Sequence, residues 1–133
     1  MNPSTLLPLT NETQLIDRAF NLVGTAKRLQ LWLMFLDVHD VQSPVLLPTD
    51  IPVRPGPRDA GPFSTFIEEV VKAVEYPSIV VVLERPGAEG VTDDDICWFR
   101  LLRDSARLAG VELRATLLSH SSGVALISAE RFA

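Results

Sequence analysis

The stretch Ile79-Val80-Val81-Val82-Leu83-Glu84-Arg85-Pro86, followed by Gly87-Ala88-Glu89-Gly90-Val91 and then Thr92-Asp93-Asp94-Asp95, decides the fold. The run from Ile79 to Leu83 is apolar at every position and mostly β-branched, so it reads as a strand covered on both faces. Thr92 three residues before Asp95 is the spacing of a capping box, with acids at the positive end of a helix dipole. A helix therefore opens at Thr92, runs through Ile96, Phe99, Leu102 and Ala106, and stops at Gly110. A strand, a loop and a helix N-terminus in that order form a junction where α/β proteins commonly place a site.

Working outward, Leu29 to Asp37 is apolar on both alternating faces and reads as a second central strand. Asp37-Val38-His39-Asp40 is a turn. Val41 to Leu47 returns as a strand whose Pro44 cannot donate to a ladder, which places it at an edge or on a bulge. Between Ser43 and Pro62 six prolines (Pro44, Pro48, Pro52, Pro55, Pro57 and Pro62) interrupt regular structure, and residues 43–62 are predicted as a loop. Pro62 then suits the first position of a helix whose apolar arc is Phe63, Phe66, Ile67, Val70, Val71, Ala73 and Val74; Pro77 ends it. Before all of this, a helix opening near Asn11 has Leu15, Ile16, Ala19, Phe20, Leu22 and Val23 on one side, with Gln14, Asp17, Arg18 and Asn21 on the other. At the other end, Val111 to Leu118 and Val124 to Ser128 form a hairpin around Ser119-His120-Ser121-Ser122-Gly123. The order αββαβαββ implies an α/β (α+β) fold, a mixed sheet sandwiched by helices.

The 133 residues make one domain, residues 1–133, with residues 1–10 set apart as a candidate disordered tail. A chain of this length hides roughly two thirds of its unfolded surface, enough for a core without metal or disulfide. Apolar residues at 47% and charged residues at 22% exclude a disordered chain. A net charge of −5 argues against a grip on phosphate backbones or anionic lipid. The single cysteine, Cys97, has no internal partner, as in a reducing compartment. The longest apolar run is far shorter than the ~20 residues of a membrane-spanning helix. The N-terminus has neither a basic start nor a long apolar core. The expectation is a cytoplasmic protein without membrane contact.

The segment Ile79 to Arg131 resembles the C-terminal part of RadC-like proteins of the JAB (MPN, JAMM) superfamily. There, a hydrophobic strand ends in His-x-His-Pro, then come a glycine-containing loop, Ser-x-x-Asp opening a helix, an alanine-rich helix end, Gly-Ile and a hairpin. This chain has Leu83-Glu84-Arg85-Pro86, Gly87 to Val91, Thr92-Asp93-Asp94-Asp95 and Ala109-Gly110-Val111-Glu112-Leu113 in the same order. Upstream, Leu31 to Val41 is similar to the family's strand ending in Leu-Asp, so the resemblance runs from about Leu29 to the C-terminus. It implies a three-layer RadC/JAB-like arrangement. It also implies a lost metal centre, because Leu83 and Arg85 stand where the family has its two zinc-binding histidines and only the acid persists, as Asp95. A catalytic zinc takes about three protein ligands and an open position. An Arg85–Asp95 ion pair is the natural substitute. No upstream glutamate matches the family's general base.

Asp95 falls inside the apolar arc of its helix, either to complete the capping box with Thr92 or as a residual binding carboxylate. The degenerate site therefore comprises Leu83, Glu84, Arg85, Thr92 and Asp95. Asp37, His39 and Asp40 have metal-ligand chemistry, but a tight turn alone explains them. His120 among serines lacks an orienting third residue. Cys97 reads as packing. Trp98, Leu101 and Leu108 widen the last helix's apolar arc, calling for cover by the N-terminal helix, the long loop or another protein. Arg100, Arg103 and Arg107 share a face interrupted by Asp104, the pattern of a solvated surface. The family's traditional link to DNA repair would suggest nucleic acid, against the acidic balance. The leading expectation is a non-enzymatic pseudoenzyme, without metal or cofactor, that binds a protein partner or a second copy of itself. The alternative is a metal-independent enzyme or small-molecule-binding domain using Glu84, Arg85 and Asp95.

Overall fold

The computed structural model describes residues 8–56, 60–74 and 76–133. The chain runs α1 (Glu12–Leu22), β1 (Gln30–Leu36), β2 (Gln42–Asp50), α2 (Ala60–Val74), β3 (Ser78–Glu84), α3 (Asp93–Ala109), β4 (Glu112–His120) and β5 (Gly123–Leu126), closing on a 3-10 turn, Ala129–Phe132. The five strands form one sheet in the order β2-β1-β3-β4-β5. Only β3 and β4 are parallel, joined by a crossover through α3; the other pairs are antiparallel. The class is α+β with a mixed sheet.

β3 is buried at all its positions and β1 at all but Trp32, because each lies between two neighbours and under helices on both faces. Alternation sorts their side chains. Met34, Leu36, Val80, Val82 and Leu117 meet Leu15 and Ala19 of α1 on one face. Leu31, Leu33, Phe35, Ile79 and Val81 meet Ile67 of α2 and Leu102 and Ala106 of α3 on the other. The result is a helix–sheet–helix sandwich with a core on each side. A third cluster, around Leu83, Trp98, Phe99, Leu118 and Phe132, packs the C-terminal end of β3 against α3.

The capping box at Thr92 is formed, and Gly110 ends α3 in the left-handed conformation at φ 70°. Asn11 caps α1 through a second box with Gln14. The inward side of α1 differs from the expected one: Leu15, Arg18 and Ala19 are buried, whereas Phe20 and Leu22 are exposed. Arg18 can lie inward because its guanidinium donates to Gln42 Oε1 while its aliphatic stem packs.

The predicted 43–62 loop is shorter than expected. β2 continues to Asp50 through Pro44 and Pro48, and α2 already starts at Ala60, with Pro62 inside its first turn. Both strand prolines are tolerated because β2 is an edge strand, and its pairing with β1 slips between Met34 and Leu36. Residues 57–59, within the same predicted loop, lie outside the described residues, as do residues 1–7 of the predicted tail. Leu9, inside the predicted tail, is buried, and its N–H donates to the Asp40 carbonyl. β4 also runs further than expected, so Ser119 and His120 are buried strand residues and Ser121 and Ser122 alone make the turn. Among the described residues no helix is long and apolar enough to cross a membrane.

Leu33 is a direct test of the two-helix face. Leu33→Ala should cost about 2–5 kcal/mol by chemical denaturation, and an unchanged midpoint would contradict the packing of α2 and α3 on β1.

Candidate functional site

At the end of β3 the strand's period of two sends neighbouring side chains to opposite faces. Leu83 and Arg85 turn toward α3; Glu84 turns toward the α1–β1 connection. Of the five residues singled out from sequence, four therefore meet and one does not: Leu83, Arg85, Thr92 and Asp95 line one cleft, while Glu84 belongs to a separate network.

Arg85 is the centre of the first group. Its Nε lies 3.2 Å from each Asp95 carboxylate oxygen and its Nη2 lies 2.9 Å from Asp95 Oδ2. Nη2 also donates to the Gly90 carbonyl at 2.8 Å, and Nη1 donates to the Ala88 carbonyl. One guanidinium thus ties the strand end, the following loop and the helix start together, a use of its planar donor set that lysine could not copy. Both side chains are largely withdrawn from solvent, 12% and 4% exposed. Asp95 Oδ2 also accepts the Thr92 N–H at 3.0 Å, while the Asp95 N–H donates to Thr92 Oγ1 at 3.1 Å. The two readings of Asp95 merge: it closes the capping box and neutralises Arg85. The loop is anchored a second time to the β4–β5 turn, where Gly87 donates to Ser121 Oγ at 2.8 Å and accepts from the Ser121 N–H at 3.0 Å.

Glu84 is 3% exposed and accepts four hydrogen bonds. Two come from backbone, Lys27 N–H at 2.8 Å and Arg28 N–H at 3.2 Å; two come from side chains, Gln30 Nε2 and Trp32 Nε1, both at 2.8 Å. Burial raises its pKa, but the four donors together outweigh it and hold the carboxyl below its ordinary value. Such a carboxylate is a clamp for the α1–β1 connection rather than a proton acceptor. Alternation along β3 is the sequence signal that separates Glu84 from Arg85; no local pattern marks Gln30, Trp32, Lys27 and Arg28 as its partners.

The cleft beside Arg85 has a volume of about 390 Å³ and is walled by Leu29, Val53, Leu83, Pro86, Ala88 and Trp98, within the size range of small-ligand sites. The long loop covers Trp98: the indole Nε1 reaches the Pro52 and Val53 carbonyls, both at 3.1 Å, and Phe63 meets the ring edge-on. Leu101 is also buried, against Phe132, whereas Leu108 is exposed.

The donor set does not fit zinc. At the two positions where the resemblance places histidines stand a core leucine and a cation, and among the described residues no three His, Cys, Asp or Glu side chains gather closely enough to hold a metal. Asp37 Oδ1 accepts from the His39 and Val41 N–H groups and Asp40 has φ 61°, so that segment is spent on its turn. His120 accepts the Ser122 N–H on Nδ1 and lies at the hairpin end. Arg100 and Arg103 both donate to the Phe132 carbonyl, so these two arginines pin the C-terminal turn. Comparison with known proteins finds no family model that matches this chain and no curated relative.

Two substitutions test these networks. Glu84→Gln should cost about 1–3 kcal/mol at neutral pH. A folded carboxyl that titrates below its unfolded value contributes stability above the ordinary carboxylate pKa and loses it as pH falls through the folded one. The gap between wild type and Glu84→Gln should therefore close with acidification in denaturation curves; a gap independent of pH would contradict the clamp. Arg85→Met leaves a buried carboxylate without its cation and should cost about 3–5 kcal/mol, partly recovered in Arg85→Met/Asp95→Asn. If the double variant is no more stable than the single one, the charge pair is not the linkage.

Proposed function

We propose that the chain is a non-catalytic RadC/JAB-like domain, a pseudoenzyme whose metal centre has been replaced by an ion pair and which acts by binding other proteins. The observation that supports this reading is the Arg85–Asp95 pair at the junction: three guanidinium nitrogens and both carboxylate oxygens are engaged with each other, the loop carbonyls and the helix cap. General acid–base work needs a group free to exchange a proton within reach of a substrate. Here the acid is locked to its cation, and Glu84 faces another network. What this end of the molecule offers is a rigid loop, held at both ends, beside an apolar cleft whose Val53 wall is 62% exposed. A shaped apolar surface rimmed by paired charges, such as Arg54 and Asp94 at 2.7 Å, suits recognition.

The cleft's volume favours a second reading, a small-molecule-binding domain, with Leu29, Val53 and Trp98 holding an apolar ligand beside the ion pair. The two readings separate by what Val53→Asp disrupts: retention of a specific protein partner in affinity capture, or binding of small apolar ligands followed by Trp98 fluorescence.

The lost metal centre has its own test. Zinc or chelator should leave the melting temperature of the wild type unchanged, with less than one equivalent of metal per chain by mass spectrometry. Calorimetry on Leu83→His/Arg85→His, with Asp95 as third ligand, should then detect zinc binding. Stoichiometric zinc in the wild type would overturn the pseudoenzyme reading; a folded double variant that ignores zinc would overturn the alignment of these positions with the family's histidines.

A further inference from the structure

The sheet's two edges are unequal. β2 at one edge carries Pro44 and Pro48, which remove donors and blunt it. β4, on the other side, is nine residues long, but β5 pairs only with Leu117 to His120, and the Ile127 N–H adds one bond to the Thr116 carbonyl. Among the described residues no strand pairs with the outer edge of Glu112 to Ala115. A groove of about 480 Å³ lies along this open half-edge, walled by Asn11 and Glu12 on the α1 side and by Arg103 and Phe132 on the α3 side. It continues the line of β5, where the sheet layer is half a strand short.

A bulge sets which face each residue of that half-edge takes. Ala115 packs on the α1 face and Leu113 on the α2/α3 face. Arg114 is the extra residue of a bulge against β3, and its side chain reaches the α1 side, 3.3 Å from the Leu9 carbonyl and 3.7 Å from Asp40 Oδ1. The contact to Asp40 is long, and a quarter of the Arg114 side chain is exposed, so the guanidinium can take a second carboxylate. Glu112, one step before Leu113, is exposed and falls on the same face as Arg114. Like charges along an edge repel a copy of themselves; Glu112 and Arg114, two residues apart with opposite signs, do the reverse.

From this we infer that the open half of β4 is a self-association edge, on which a second copy of the chain pairs antiparallel about a two-fold axis through Leu113. That register sets Leu113 against its own symmetry mate and Glu112 of each copy against Arg114 of the other, on the same face of a continuous ten-stranded sheet. Three paired residues per copy, Glu112 to Arg114, make a small interface, so the dimer is concentration-dependent rather than obligate. The inference names one partner for the interaction reading given above and rests on that reading only for its biological role. The surface lies away from the Arg85 cleft, so self-association can fail while Val53→Asp still disrupts partner capture, and the reverse.

The experiment is sedimentation velocity of the full chain over a concentration series, with Glu112→Arg and Arg114→Glu made separately and then mixed. Wild type should associate with increasing concentration. Each single variant, which sets like charges against each other twice, should weaken association at least tenfold. An equimolar mixture of the two restores opposite charges at both contacts and should recover it. Backbone hydrogen exchange at Leu113 to Ala115 in the wild type should slow as concentration rises, a readout that needs no variant to fold. A wild type that stays monomeric with concentration-independent exchange overturns the inference, as does association that neither variant weakens.

Discussion

The whole architecture depends on a strand with no polar face. β3 is buried at every position, and a strand of that kind is stable only between two neighbours in the sheet and under apolar cover on both sides. That requirement places β1 and β4 beside it, α1 on one face and α2 with α3 on the other. The same requirement surrounds the end of β3 with packed structure, α3 and the following loop on one face and the α1–β1 connection on the other. Its last residues are therefore where side chains can be held without freedom. Glu84 is used to clamp the α1–β1 connection, and Arg85, one residue on, is used to fasten the loop to α3.

Those two polar residues are both spent on interactions within the fold. Each is buried or nearly so and bonded by the protein itself, Glu84 by four donors and Arg85 through all three of its guanidinium nitrogens; among the described residues no buried side-chain nitrogen or oxygen lacks a partner. Catalytic groups generally keep some capacity for a substrate or a proton. A charge pair withdrawn from water contributes little net stability compared with an apolar filling, yet breaking one side of it is costly. It therefore fixes geometry more than it stabilises. On the reading proposed above, holding a loop in one shape beside an apolar cleft serves recognition, and the open half of β4 is a second, separate surface.

Much of this was legible in the sequence because it is local. The β-branched run at Ile79 to Leu83, the Thr92–Asp95 spacing and Gly110 each specify a conformation through their own sterics and hydrogen bonds, and each adopts it. The Arg85–Asp95 pair, which the family resemblance implied as a substitute for the metal, is formed. The reading failed where long-range context outweighs local preference. Pro44 was expected in an edge strand and stands in one, but Pro48 looks like a loop residue, and β2 passes through it as well because an edge position leaves alternate N–H groups unneeded. Arg18 looks like a surface residue, but Gln42, far along the chain, satisfies its guanidinium in the interior. His120 looks like turn chemistry, but β4 extends to include it.

Local signals along the chain specify the class of fold, the order of elements and the start and end of α3, since hydrophobic period, caps and stops act over a few residues. That Glu84 and Arg85, adjacent in the chain, serve unrelated networks follows from how distant segments pack. The same packing decides which loop covers Trp98 and which half of β4 is left unpaired. Those outcomes depend on strand order, register and the lengths of neighbouring strands, which are set when distant segments pack and carry no local mark in the amino-acid sequence.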